Sequence, residues 1–214
     1  MSSGFKLYHY WRSSSSWRVR FAMEYKKIPF EPVAVSLLNG ESESPEHLKR
    51  NPAGLVPVLE TPDGKYLTES LAIIRYLEEL YPTPTLFPGT ALDHARIWAL
   101  AEVINSGTHP IQNPPVVQRH SSDPAEQKRW MQFWIHQGLE TYEKLCAPEA
   151  GRFSHGDQLS LADLCLIPQC YNAERHGVDF RQFPTIARIH DACWALESLK
   201  KSHPDVYQPA DFKG

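Results

Sequence analysis

Four consecutive serines, Ser13 to Ser16, run directly into Trp17-Arg18. At the start of a helix such a run can do anion chemistry. The first turn of a helix carries unpaired N–H groups and a partial positive charge. It therefore favours an anion, including a thiolate, whose pKa falls there. Hydroxyls at the same place can donate hydrogen bonds to that anion. One serine also suffices as a plain N-cap, and composition alone leaves both readings open. Val56-Pro57 is a second device. A proline inside a strand pattern normally demotes the strand, and a cis Val56–Pro57 bond would reconcile it with the flanking valines. Val56 would then offer its N–H and C=O to a peptide-like ligand. The alternative is that Pro57 only ends a strand. Glu69-Ser70 is a third device. Ser70 can cap the next helix, and Glu69 can hold an ammonium group while that helix start holds a carboxylate. The pair suits an amino-acid zwitterion, or is a routine cap with an acidic first turn.

The C-terminal half holds fewer candidates. Arg175 ends a helical pattern, where a cation sits well against the helix dipole or serves as a carboxylate fork. His109, Gln112 and Asn113 read as the polar end of a helix before Pro114-Pro115. Ser160 to Asp163 fits a capping box, with Asp where Glu or Gln is usual.

The elements that must position these residues can be read from periodicity. Residues 6–11 and 31–36 read as strands, with a helix over 16–26 between them. Trp17, Phe21 and Tyr25 share one face of that helix. A short helix follows over 45–50, with proline in its first turn. Residues 56–60 and 65–68 read as strands joined by Pro62-Asp63-Gly64, a hairpin signal. A helix over 69–81 places Leu71, Ile74, Leu77 and Leu80 at helical spacing. The order β-α-β-α-β-β-α implies a parallel pair with a right-handed crossover and an added antiparallel hairpin. The proline-rich stretch 81–88 reads as a linker. Beyond it helices are expected over 91–105, 123–145, 160–175 and 185–199. The predicted division is residues 1–82, an α/β domain, and residues 89–214, an all-α domain.

Composition excludes several classes. The 214 residues are 42% hydrophobic and 22% charged, ordinary usage for a globular chain. A net charge of -3 gives no field that would draw nucleic acid or an anionic membrane. No apolar run reaches the roughly 18 residues of a membrane span, and Met1 to Lys6 lacks the apolar core of a secretory signal. Cys146, Cys165, Cys170 and Cys193 form no C-x-x-C and no zinc spacing. Four reduced thiols, no metal and a cytoplasmic location are expected.

The run YWRSSSSWRVRFA resembles the signature of zeta-class glutathione transferases, SSCxWRVRIAL, a family also called maleylacetoacetate isomerase. The resemblance extends in order through NPAGLVPVLE, ESLAIIRYLEELYP, HPIQN, LADLCLIPQCYNAER and FPTI. It implies the glutathione transferase fold, a thioredoxin-like N-terminal domain plus an all-helical C-terminal domain, and a homodimer that binds glutathione. Carried over by residue, Ser13 would hydrogen-bond the glutathione thiolate, with Ser14, Ser15, Ser16, Trp17 and Arg18 beside it. Val56, before cis-Pro57, would pair with the cysteinyl backbone, and Glu69 and Ser70 would hold the γ-glutamyl end. His109 and Asn113 would also approach glutathione. Arg12 and Arg175 would hold substrate carboxylates. The main departure is Ser15, where the signature has cysteine, so no protein cysteine at that position is required for the chemistry.

The implied activity is glutathione-dependent cis–trans isomerisation of maleylacetoacetate, a small carboxylate enone, to fumarylacetoacetate. A maleylpyruvate isomerase, or glutathione-dependent dehalogenation of small α-halo acids, would use the same thiolate and arginines. A non-catalytic scaffold of this fold is a further alternative, against which the retained serine run, Val56-Pro57, Glu69-Ser70 and Arg175 weigh.

Overall fold

A computed structural model describes residues 4–210 and 212. Met1 to Ser3, half of the segment read for a secretion signal, lie outside the described residues. The chain divides into two compact units. One comprises the residues up to Thr85 together with those from Glu197 onward, and the other is Leu86–Leu196.

In the first unit, β1 (Phe5–His9) is central because its residues are buried on both faces. It pairs in parallel with β2 (Phe30–Ala34) and antiparallel with β3 (Val58–Glu60). β4 (Tyr66–Thr68) closes the hairpin with β3, giving the sheet order β2-β1-β3-β4. Pro32 is tolerated because β2 lies at the sheet edge. The 61–65 turn is set by Gly64 at φ 77°, whose N–H donates to the Thr61 carbonyl at 2.8 Å.

Helices α1 (Ser14–Tyr25), α2 (Pro45–Arg50) and α3 (Ser70–Leu80) complete the expected α/β order. In α3, Leu71, Ile73, Ile74 and Leu77 are buried, whereas Leu80, expected on the same face, is half exposed in the last turn. α1 is not amphipathic in the expected sense, since every residue from Ser16 to Met23 is buried. The reason is a short helix, α9 (Glu197–Ser202), which packs on α1 from the far end of the chain. The Trp17 indole N–H donates to Ser202 Oγ at 3.1 Å. The proline-rich stretch is tied down as well. Lys26 Nζ contacts Glu78 Oε2 at 2.6 Å and donates to the carbonyls of Tyr81 and Pro84, each at 2.7 Å.

The second unit holds α4 (Ala91–Asn105), α5 (Pro114–His120), α6 (Pro124–Cys146), α7 (Leu161–Arg175) and α8 (Pro184–Trp194). α7 is its centre, buried from Leu161 to Cys170. The expected capping box starts it. The Asp163 carboxylate accepts from the Ser160 N–H and Ser154 N–H, both at 2.8 Å, and from Ser160 Oγ at 2.9 Å.

Three expectations are corrected here. Pro114-Pro115 opens α5 rather than marking only a break, because proline is tolerated in the first turn of a helix. The single helix expected over 185–199 is two, α8 and α9, with the break at Ala195-Leu196. The second domain does not run from 89 to 214. The boundary falls at Thr85/Leu86, and the chain from Glu197 returns to the first unit, where α9 buries the outer side of α1.

Candidate functional site

In the first unit the site is built on the turn between β1 and α1. The Ser13 N–H donates to the Tyr10 carbonyl at 3.1 Å, so the chain reverses within four residues. Ser13 is then the N-cap of α1, and its Oγ accepts from the Ser16 N–H at 3.2 Å. Capping and anion binding do not compete. A hydroxyl that accepts at a cap still has its own O–H to donate. The N–H groups of Ser14 and Ser15 find no acceptor among the described residues, and Ser13, Ser14 and Ser15 are all half-buried. The start of α1 therefore carries two open amides, of Ser14 and Ser15, and the hydroxyls of Ser13 and Ser14, all on half-buried residues.

Ser16, Trp17 and Arg18 lie deeper than expected of cofactor contacts. All three are enclosed, with relative exposures of 0, 2 and 1%. Trp17 faces Ser202, and Arg18 reaches Ser70, its Nη1 donating to Ser70 Oγ at 3.4 Å. Arg18 thus brackets the starts of α1 and α3, which is a positioning contact.

The Val56–Pro57 bond is cis. Val56 precedes the paired part of β3, and its N–H and C=O have no hydrogen-bond partner among the described residues. The loop before it is braced. The Leu55 carbonyl accepts from Asn51 Nδ2 at 2.9 Å and lies 3.0 Å from His47 Nε2. Ser70, expected as the cap of α3, is instead its first residue. The cap position belongs to Glu69, which makes no side-chain cap bond and sits exposed at φ 65°, ψ 114°. A non-glycine residue there carries roughly 1–3 kcal/mol of strain, and such residues cluster at ligand sites. The fit to glutathione in this unit is good. An uncovered helix start suits a thiolate, an open backbone edge suits a peptide, and a strained exposed carboxylate suits an ammonium group.

Sequence reasoning missed the residue that holds this turn. Arg20 is fully buried and forms no ion pair among the described residues. Its Nη2 donates to the Trp11 carbonyl at 2.9 Å and its Nε to the Ser202 carbonyl at 3.1 Å. Its Nη1 contacts His9 Nδ1 at 3.1 Å, and its guanidinium lies 4.7 Å from the Tyr207 ring centre. Burial pulls its pKa down to about 10. Two arginines in the WRVR run were visible, but only the covering of α1 by the chain's end distinguishes Arg20. A guanidinium has no lone pair to offer, so His9 accepts at Nδ1 and is the neutral tautomer protonated at Nε2.

Burial, then the Arg20 charge, lower the His9 pKa to about 3. Between that value and the ordinary histidine range near 6.5, the unfolded chain binds a proton that the folded chain refuses. Stability is therefore full above pH 6.5 and falls as pH drops, by about 1.4 kcal/mol per pH unit from this residue. Urea unfolding at pH 7, 6 and 5 should show that slope, and His9→Asn, which still accepts from Arg20 but does not titrate, should remove it.

The remaining expected residues belong to the second unit. His109 and Asn113 flank a single turn of 3-10 helix, residues 110–112; α4 ends earlier, at Asn105. Asn113 is half-buried at the cap position of α5 without a side-chain cap bond. Arg175 is exposed at the end of α7. A chain of amides links these segments. Gln112 Nε2 donates to Gln169 Oε1 at 2.7 Å, Asn172 Nδ2 donates to Gln112 Oε1 at 2.8 Å, and Arg175 Nη1 donates to Asn172 Oδ1 at 3.5 Å. The 110–112 turn and Arg175 are thus brought together within this unit. Gln169 and Asn172 were not singled out from the sequence, where nothing marks their pairing.

A four-stranded mixed sheet whose first helix presents open donors, followed by a helical unit, is the arrangement of glutathione transferases. Residues 7–85 match the family described as "Glutathione S-transferase, N-terminal domain". The chain is 42% identical to the maleylacetoacetate isomerase of Rhizobium meliloti over 208 residues, covering 95% of this chain and 97% of the relative. A crystal structure of maleylacetoacetate isomerase from Anaeromyxobacter dehalogenans with bound GSH superposes with a TM-score of 0.87 at 44% identity, covering 97% of each chain. The holo structure of a bacterial zeta-class maleyl pyruvate isomerase gives a TM-score of 0.91 at 38% identity, covering 97% of this chain and all of that one. The chain belongs to the zeta class of glutathione transferases, the maleylacetoacetate isomerase family.

Proposed function

We propose that this protein isomerises maleylacetoacetate to fumarylacetoacetate with glutathione as the recycled nucleophile. The observation that carries the reading is the start of α1, where the Ser14 and Ser15 amides and the Ser13 hydroxyl remain free to take an anion. Glutathione supplies the sulfur that adds to the cis alkene, frees the central bond to rotate and is eliminated, with no net oxidation. The chain's part is electrostatic. The helix start and Ser13 hold negative charge on sulfur and so lower the thiol pKa. The Val56 backbone pairs with the cysteinyl backbone, and the Glu69-Ser70 junction holds the γ-glutamyl end. His109 and Asn113 are assigned as further glutathione contacts. Arg12 and Arg175 are assigned as carboxylate forks, because a guanidinium binds a carboxylate through two parallel bonds.

The protein's own thiols suit no part of this. All four cysteines are buried and in no disulfide, and burial pushes Cys146 up to about 12. Ser15 takes the position of the signature cysteine, in keeping with sulfur arriving on the ligand. Four unbridged thiols fit a reducing compartment, and among the described residues no helix is long and apolar enough to cross a membrane. A cytoplasmic homodimer with no nucleic-acid or membrane partner completes the proposal.

The test is the absorbance change of maleylacetone with and without glutathione. Conversion to the trans isomer only when glutathione is present is the expected result; glutathione binding without conversion would move the reading to conjugation or dehalogenation. The likeness to the maleyl pyruvate isomerase, 38% identical, raises one second reading, in which maleylpyruvate is the better substrate. A comparison of kcat/KM for the two substrates decides between them.

A further inference from the structure

His109 and Asn113 flank a turn that its own backbone holds weakly. The 3-10 helix Pro110–Gln112 is closed by the Gln112 N–H to the His109 carbonyl and the Asn113 N–H to the Pro110 carbonyl, each long at 3.3 Å. Hydrogen-bond geometry in such helices is poor, and they persist only as short pieces. Side chains of two other helices pin this one. Trp130 of α6 donates its indole N–H to the Ile111 carbonyl at 2.9 Å. Gln169 and Asn172 of α7 both meet Gln112.

The amide contacts are directional. Gln112 and Gln169 are buried, at 5 and 1% exposure, and pair head to tail. Gln112 Nε2 donates to Gln169 Oε1 at 2.7 Å, and Gln169 Nε2 donates to Gln112 Oε1 at 3.4 Å. A carbonyl oxygen has two lone pairs, and the other one on Gln112 Oε1 takes Asn172 Nδ2 at 2.8 Å. Turning the Gln112 amide over would set its NH2 against that of Asn172. Asn172 thus spends its donor on Gln112 and presents Oδ1 to Arg175, whose Nη1 donates to it at 3.5 Å. Anchoring one donor of a planar guanidinium restricts how its plane can turn. Packing alone does not call for these amides. The neighbouring residues of α7, Leu164, Leu166 and Ile167, are buried and apolar, and an apolar pair in place of a buried hydrogen-bonded one is nearly neutral for stability. What a satisfied buried amide network adds is a unique arrangement.

We propose that Gln169 and Asn172 are positioning residues that act through Gln112. Gln169 fixes the turn that presents His109 and Asn113 to glutathione, and Asn172 fixes the guanidinium of Arg175 for the substrate carboxylate. The inference rests on the assignment of His109, Asn113 and Arg175 made under the proposed function.

Two variants separate the two tasks. Asn172→Leu removes the anchor of Arg175 and leaves the glutamine pair intact. Gln112→Met combined with Gln169→Met replaces the pair by apolar chains of similar shape, so this protein should melt near the wild-type temperature. The probes are glutathione, and 4,6-dioxoheptanoate, the saturated analogue of maleylacetone, titrated calorimetrically into glutathione-loaded protein. In Asn172→Leu the Kd of the analogue should rise about tenfold while that of glutathione stays unchanged. In the double variant both should rise about tenfold. Should the double variant fail to fold, Trp130→Phe tests the same turn from α6 by deleting its bond to Ile111, and glutathione should again bind more weakly. A merely structural role would weaken both ligands together, so Asn172→Leu protein that loses both equally would overturn the proposal. So would Asn172→Leu protein that binds the analogue as wild type does, or a freed turn with wild-type glutathione affinity. Wild-type protein that fails to bind the analogue would overturn the role given to Asn172. The expected split without turnover of maleylacetone by the wild type would uphold the positioning and sink the isomerase reading instead.

Discussion

Ser13→Gly should leave a folded, glutathione-binding protein that isomerises maleylacetone about a hundredfold more slowly. The figure is what deletion of one donor from a preorganised anion hole typically costs. Glycine is the informative replacement because Ser13 has two jobs. Its Oγ caps α1 through the Ser16 N–H, and its O–H is free for sulfur. Alanine removes both and costs about 1 kcal/mol of helix stability, whereas glycine at an N-cap costs only a few tenths. Ser13→Thr keeps both functions and should keep most of the activity. The thiolate absorbance of bound glutathione, followed against pH, reports the cause: the midpoint should rise in Ser13→Gly and stay put in Ser13→Thr. Full activity in Ser13→Gly would pass the role to Ser14 and to the amides of Ser14 and Ser15, which remain in every variant.

How much of this was legible depends on whether the relevant physics is local. The serine run, the proline between valines and the Ser160–Asp163 box are short-range signals, and each has the conformation that its residue types require. Ser70 shows the limit of such reading. Serine is a good cap, but here Glu69 occupies the cap position at positive φ, and Ser70 turns its hydroxyl to Arg18. No pattern around residue 69 announces that backbone. Pro114-Pro115 shows an ambiguity of a different kind, since the same dipeptide stops one helix and starts another. The largest omission is non-local. Periodicity in 16–26 finds one apolar face through Trp17, Phe21 and Tyr25, but Ser16 to Met23 are buried all round, and Trp17 itself is bonded to Ser202, almost two hundred positions away. Ala195-Leu196, where α8 ends and the chain leaves for the first unit, contains neither glycine nor proline. Only tertiary packing places that break, and with it the partners of Arg20.

Arg20→Met should lower stability by about 3 kcal/mol, seen as a fall of roughly 6 to 12 °C in melting temperature. Methionine fills much of the same volume, so the loss reads the hydrogen bonds rather than a cavity. The Trp11 and Ser202 carbonyls and His9 Nδ1 all lose a charged donor in a place that water does not reach. Against that loss stands the cost of burying a guanidinium that has no carboxylate partner among the described residues, which methionine relieves. The orphaned acceptors outnumber that single relief, and the balance is destabilising. Lysine keeps the charge but presents it at one point, so it reaches one acceptor where the planar guanidinium reaches several. Arg20→Lys should therefore fall between methionine and wild type in stability. Activity separates the structural role from a purely global one. Arg20 joins the Tyr10–Trp11 turn to Ser202 and Tyr207, so its loss frees the turn that carries Arg12 and Ser13. At a temperature where Arg20→Lys is still folded, KM for maleylacetone should rise while α1, capped by Ser13, still binds glutathione. An Arg20→Lys protein with wild-type KM would mean that the turn holds its own shape, and that Arg20 contributes stability alone.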